Sequence, residues 1–174
     1  MNLGFLTGAT AIMIKSPLSP LQSLLLVIAS FVAASVVNIY PLSLDASKLR
    51  PMALIMVLIF WLIYKPRYVG VVTAFAIGII SDLLLDTRLG QQGFAAVIMA
   101  FSLRFVGQYI KQVNLPVAWT VATGALIVFQ LTLWIVQYLT QNIFYASAIF
   151  SLLVSVISWP LVFFGLHRFI NKYS

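Results

Sequence analysis

The sequence predicts an all-α membrane protein with six transmembrane helices in one bundle. Three observations carry this. Of the 174 residues, 63% are hydrophobic and only 7% are charged, whereas soluble domains run at about 25% charged. The apolar residues come in long runs, and a spanning helix needs about 20 mostly apolar residues in succession. The runs also lack the apolar–polar alternation, in segments of about 10 residues, that marks a transmembrane barrel.

Each span has readable ends. The first runs Leu21–Tyr40 and is closed by Pro41; the second runs Pro51–Tyr64 and is closed by Lys65-Pro66-Arg67. The third runs Val69–Leu85, ahead of Asp86-Thr87-Arg88, and the fourth runs Gly93–Ile110, ahead of Lys111 to Asn114. The fifth runs Pro116–Leu139 and ends at Thr140-Gln141-Asn142; the sixth runs Ala146–Gly165, followed by His167, Arg168 and Lys172. Proline at a boundary starts or stops a helix without costing an interior hydrogen bond. Pro160 lies inside the sixth span and predicts a kink there, with neighbouring helices re-satisfying the carbonyl it frees.

The second span is short. Met52–Tyr64 covers about 20 Å at helical rise, against a bilayer core of about 30 Å. Either Arg50 and Lys65 snorkel outward to extend it, or the second and third spans form a re-entrant pair; two true spans are the expectation. Residues 1–20 read as an apolar or interfacial tail rather than a signal peptide, because Lys15 follows the apolar stretch instead of preceding it. Residues 21–168 form the transmembrane domain and 169–174 a cytoplasmic tail.

The net charge of +7 is scattered singly between the apolar runs, which points to orientation in a membrane and away from nucleic acid. With both termini cytoplasmic, Lys15, Lys65, Arg67, Lys111, Arg168 and Lys172 lie inside, and Lys48, Arg50 and Arg88 outside. That is the positive-inside bias; Arg104 falls within the fourth span. The absence of cysteine excludes a disulfide framework and a thiolate metal site. The connecting loops are short, so partners are expected to be met through helix faces or small loops.

The third span carries the clearest pattern. Gly70, Ala74, Gly78, Asp82 and Asp86 recur every four residues, on one helix face. Small residues at this spacing let another backbone approach closely, so the face is either an internal seam or a docking site for a partner's helix. Asp82 is costly at membrane depth and is expected to face the protein interior or a wet cavity. It caps a backbone group or pairs with Arg88, pairs with Arg104, or binds a proton, ion or substrate. In the fifth span Gln130, Trp134 and Gln137 share a face, which suits hydrogen bonds between helices. Tyr40, Tyr64, Tyr68 and Tyr138 suit an interfacial belt.

Catalysis is not expected. The chain has three acids and one histidine, and His167 lies at the opposite end of the bundle from every Asp, so no Ser–His–Asp set assembles. No metal-ligand spacing or Gly-rich phosphate loop is present, and no cofactor is implied.

Several local motifs occur in a specific order: Arg50-Pro51 before the short span, Lys65-Pro66-Arg67-Tyr68-Val69-Gly70, Gly78-Ile79-Ile80-Ser81-Asp82-Leu83, Leu89-Gly90, and Trp159-Pro160 in the last span. Together they resemble the rod shape-determining MreD family, over Arg50 to Arg168. The chain differs from the family pattern in a longer N-terminal tail and in carrying Gln130 and Gln137 where acidic residues are expected. The resemblance implies a non-enzymatic component of the bacterial elongation machinery in the inner membrane. Such a protein docks the single-span protein MreC. Through it the protein acts with MreB, RodA and the penicillin-binding transpeptidase partner of RodA in lateral peptidoglycan synthesis. Membrane lipid completes this partner set, and self-association as a homodimer is left open. The family is also similar in fold to the substrate-binding subunits of energy-coupling factor transporters. That likeness implies an alternative function, a vitamin-type small-molecule binding subunit with Asp82, Arg104 or Gln130 lining a polar cavity in the outer half.

Overall fold

A computed structural model describes residues 20–39, 51–66, 69–109, 114–141 and 148–173. These residues form six helices: α1 Pro20–Ile39, α2 Ala53–Tyr64, α3 Val71–Leu84, α4 Gln91–Gly107, α5 Leu115–Gln141 and α6 Ala148–Tyr173. No strand occurs among them. The apolar tail before Pro20, Arg50, the span ends at Tyr40 and Ile110, and Arg67 and Tyr68 lie outside the described residues.

The arrangement follows from α2. Its sequence, ALIMVLIFWLIY, is apolar on every side, and a helix that is apolar all round is one that is enclosed. Every residue from Ala53 to Trp61 is buried. Each of the other five helices packs on α2, and α1, α3, α4, α5 and α6 follow one another around it in an arc. Side chains from this arc tie α2 at both ends. The Ser155 hydroxyl of α6 accepts the Met52 N–H at 2.9 Å, just ahead of the first turn. The Trp61 indole N–H donates to Ser30 of α1 at 2.7 Å. Near the C-terminal end of α2, Phe60 stacks on Tyr64 with ring centres 4.6 Å apart, and Phe163 of α6 meets both rings on edge.

The bundle is apolar outside and partly polar inside. Leu21, Val32, Phe101, Ile135, Ile157 and Leu161 project outward, while Asn38, Ser81, Asp82, Gln92, Gln130 and Ser155 are buried. A soluble monomer rarely exposes so continuous an apolar surface; hydrocarbon is the solvent that matches it.

Among the described residues, three helices are long and apolar enough to cross a membrane: Leu21–Asn38 in α1, Leu115–Thr140 in α5 and Ala148–Leu166 in α6. The second span is expected to be short, and α3 is short as well. Helix α2 has 12 residues and reaches about 18 Å; α3 has 14 and reaches about 21 Å. Both are shorter than the roughly 30 Å core. The physical reason is visible for α2, which is enclosed by protein and has no lipid face to match. At the other end of the chain, α6 continues helical through Tyr173. Pro160 sits within α6 without ending it. Having no N–H, it leaves the Val156 carbonyl without its helical donor, and the Trp119 indole N–H of α5 donates to that carbonyl at 3.1 Å.

Candidate functional site

The site begins at the junction of α3 and α4. Helix α3 stops because Asp86 adopts a left-handed backbone, φ 51°, and the Thr87 N–H turns back to the Asp82 carbonyl at 3.0 Å. This six-to-one bond is the Schellman helix ending, where glycine is usual and Asp is tolerated. Asp86 is therefore the residue that ends α3. It is exposed and does not continue the face of Gly70, Ala74, Gly78 and Asp82.

Helix α4 starts at Gly90, which has φ 94° and no capping side chain of its own. The cap comes from α3. Asp82, fully buried, accepts the Gly90 N–H at 2.8 Å and the Gln92 N–H at 3.1 and 3.3 Å through its two oxygens. The Thr87 hydroxyl adds a third donor at 2.8 Å. A carboxylate at a helix N-terminus answers both the unpaired N–H groups and the positive end of the helix dipole. Gln92 closes the network: its Oε1 accepts the Ser81 hydroxyl at 2.6 Å and its Nε2 reaches Thr87 Oγ1 at 3.3 Å.

One turn below, α3 and α4 meet backbone to backbone. A methyl group built on Gly78 would lie 2.5 Å from Gly93 Cα and 2.7 Å from the Gln92 carbonyl. Ala74 is fully buried nearby in the sequence register, whereas Gly70, ahead of the first turn of α3, has open space around it. The small face of α3 is thus turned into the bundle, and at Gly78 no room remains for a further helix.

The two proposed ion pairs of Asp82 are not formed. Arg104 lies in the last turn of α4 and is exposed, at the far end of that helix from the capped N-terminus. Arg88 instead donates to the Thr140 carbonyl of α5 at 3.3 Å, beside a Gln91 Nε2 bond to Thr140 Oγ1 at 3.1 Å. Gln130 and Gln137 do share a side of α5, but not as hydrogen-bonded glue. Their Oε1 atoms, and Asn38 Oδ1 of α1, are buried without a hydrogen-bond partner. All three residues line one cavity of about 470 Å³, which also takes in Pro51, Gln91 and Gln92. It lies where α1, α3 and α5 end and α2, α4 and α6 begin. Neither Asp82 nor Arg104 lines it.

The remaining motif residues have structural places. Pro66 is exposed in the turn after α2, and Trp159 is fully buried, with its ring 5.3 Å from Phe163. Among the described residues no cluster of metal-ligating side chains occurs. The sequence reading missed Thr87, Gln92, Gly93 and Asn38. The signal for Gln92 and Gly93 was a polar pair and a glycine directly after the Leu89-Gly90 turn; Asn38 was the one amide near the end of an otherwise apolar span.

A second feature lies on the outer surface between α4 and α5. It is a groove of about 330 Å³ lined by Ser102, Leu103, Thr120, Gly124, Ala125 and Val128, among others. Thr120, Gly124 and Val128 are four residues apart on α5, and a side chain added at Gly124 would meet nothing within 4 Å.

Comparison with known proteins gives a consistent picture. The family model described as rod shape-determining protein MreD matches residues 20–170. The chain is 27% identical over 150 residues to a rod shape-determining protein MreD of Haemophilus influenzae, covering 84% of this chain and 91% of that protein. No solved structure matches significantly.

Proposed function

Because the chain belongs to the rod shape-determining protein MreD family, we propose that it serves rod shape as a non-enzymatic scaffold in the bacterial inner membrane. In this reading it docks the single transmembrane helix of MreC. Through that contact it acts with MreB, RodA and the penicillin-binding transpeptidase to control lateral peptidoglycan synthesis. All six helices reach into the membrane, and both termini lie in the cytoplasm.

The observation that carries the docking reading is the α4–α5 groove. Membrane helices associate where small side chains allow close backbone approach. Ser102, Thr120, Gly124 and Ala125 offer such a strip on the outer surface, whereas the small face of α3 is already filled by α4 at Gly78. Exposed Phe101, Phe105 and Trp119 supply apolar bulk on the same two helices.

The test is co-purification with MreC. We expect a stable one-to-one complex from the native protein, and at least a tenfold weaker one from Gly124→Leu at unchanged protein level. A Gly124→Leu protein that recovers MreC normally, in cells that stay rod-shaped, would sink the groove assignment. The transporter-subunit alternative makes a different prediction, recovery of the chain with a cytoplasmic ATPase module.

A further inference from the structure

The cavity between the helix ends has a chemical peculiarity. It presents three amide side chains whose carbonyl oxygens are buried and accept no hydrogen bond: Asn38, Gln130 and Gln137. Asn38 is 3% exposed and Gln130 2%. Burying an acceptor without a donor is destabilising. Three such groups around one space mark a site that something else completes.

Four features narrow what that is. First, Gln130 and Gln137 are seven residues apart on α5, about 10 Å at helical rise. The missing donors must be spread along that length, which a single ammonium group does not achieve. Second, a hydroxyl both donates and accepts, so a hydroxyl satisfies the oxygen or the NH₂ of a carboxamide, whichever faces it. Third, the charged residues on the rim, Asp86 and Arg88, are of opposite sign and cancel, which suits a neutral ligand. Fourth, Met52, Ile55, Phe129 and Leu133 give the cavity apolar walls against which the C–H faces of a ring can lie. The volume of about 470 Å³ falls in the range of about 300–1,000 Å³ usual for small-molecule sites.

We propose that this cavity binds a neutral polyhydroxyl ligand, of the size of one to two sugar rings. Its hydroxyls donate to Asn38, Gln130 and Gln137, and a ring face rests on Phe129. The ligand comes either free or as the headgroup of a membrane lipid. This inference is independent of the scaffold reading and of the α4–α5 groove.

The experiment uses the full chain in nanodiscs of phosphatidylethanolamine, prepared without any glycoside detergent. It is titrated by calorimetry with glycerol, glucose, N-acetylglucosamine and maltose, with dodecyl maltoside as the lipid-linked probe and choline as the cationic control. Saturable binding of one of the free polyols, and not of choline, is the expected result and assigns a free ligand. Binding of the maltoside alone assigns a lipid headgroup. In either case Gln130→Leu should weaken binding at least tenfold while leaving the melting temperature unchanged or raised, because leucine removes an unpaired buried amide. Gln137→Leu gives the same reading from a less buried position. If no polyol binds saturably, if choline binds as well as they do, or if both leucine variants bind like the native protein, the cavity holds only water and the proposal is overturned.

Discussion

At the scale of single residues, Asp82 shows what an acid does inside an apolar bundle when it does not meet a base. It receives two backbone N–H groups and a hydroxyl from the turn that follows it. Replacing it with alanine leaves these donors buried and unpaired, so Asp82→Ala should lower unfolding stability by about 3 kcal/mol. Asp82→Asn, which keeps one acceptor oxygen, should lose about half of that; denaturant unfolding of the purified protein in detergent checks both. A loss equal for the two variants would mean that the charge rather than the capping geometry matters. Asp86 is expected to behave oppositely. Its left-handed backbone favours glycine, so Asp86→Gly should raise stability by about 1 kcal/mol in the same assay. The importance of Asp82 was legible in the sequence because a lone acid in an apolar run has few inexpensive roles. Its partners were not, since they are mostly backbone groups and carry no sequence signature. The pairing with Arg104 failed for an axial reason: Asp82 caps the first turn of α4, whereas Arg104 lies in its last turn, about 20 Å away at helical rise, and is exposed.

At the scale of elements, the α3–α4 seam depends on a pair of glycines of unequal tolerance. A methyl at Gly78 meets backbone atoms of Gly93 and Gln92, which cannot step aside, whereas one at Gly93 meets side-chain atoms of Ile79 and Phe75 at 3.2 Å. Gly78→Ala should therefore cost about 3 kcal/mol or more and reduce the protein level, and Gly93→Ala about 1 kcal/mol. Equal levels for the two variants on an immunoblot would contradict this seam. The α5–α6 contact offers a cleaner measurement. Trp119→Phe removes the donor to the carbonyl freed by Pro160 and should cost about 1 kcal/mol. In a Pro160→Ala background the alanine N–H can serve that carbonyl, so the same change should cost clearly less. A double-mutant cycle showing no coupling would mean that the indole bond contributes nothing. The period-four pattern of α3 and the interior proline of α6 were both visible in the chain. The residues that answer them, Gly93 and Trp119, were not, because a partner on another helix has no fixed offset in sequence.

At the scale of the whole molecule, composition and run length were enough to read an all-helical membrane protein. They were not enough to read its layers. Hydropathy reports that α2 and α3 are apolar but not whether lipid or protein surrounds them, and the short length of α2 becomes understandable only once it is placed at the centre. The proposed orientation is open to a direct check. A cytoplasm-active reporter fused after Ser174 should be active and a periplasm-active one silent; the reverse would exclude cytoplasmic termini.

The central position of α2 also dictates when the molecule can be finished. Emerging from the ribosome, this segment is too short to span a bilayer alone, and the Ser155 hydroxyl that accepts the Met52 N–H is 103 residues further along the chain. The innermost helix is made early and completed last. Until α6 arrives, an unfinished chain presents the membrane with an open ring around a helix that has no neighbour on one side.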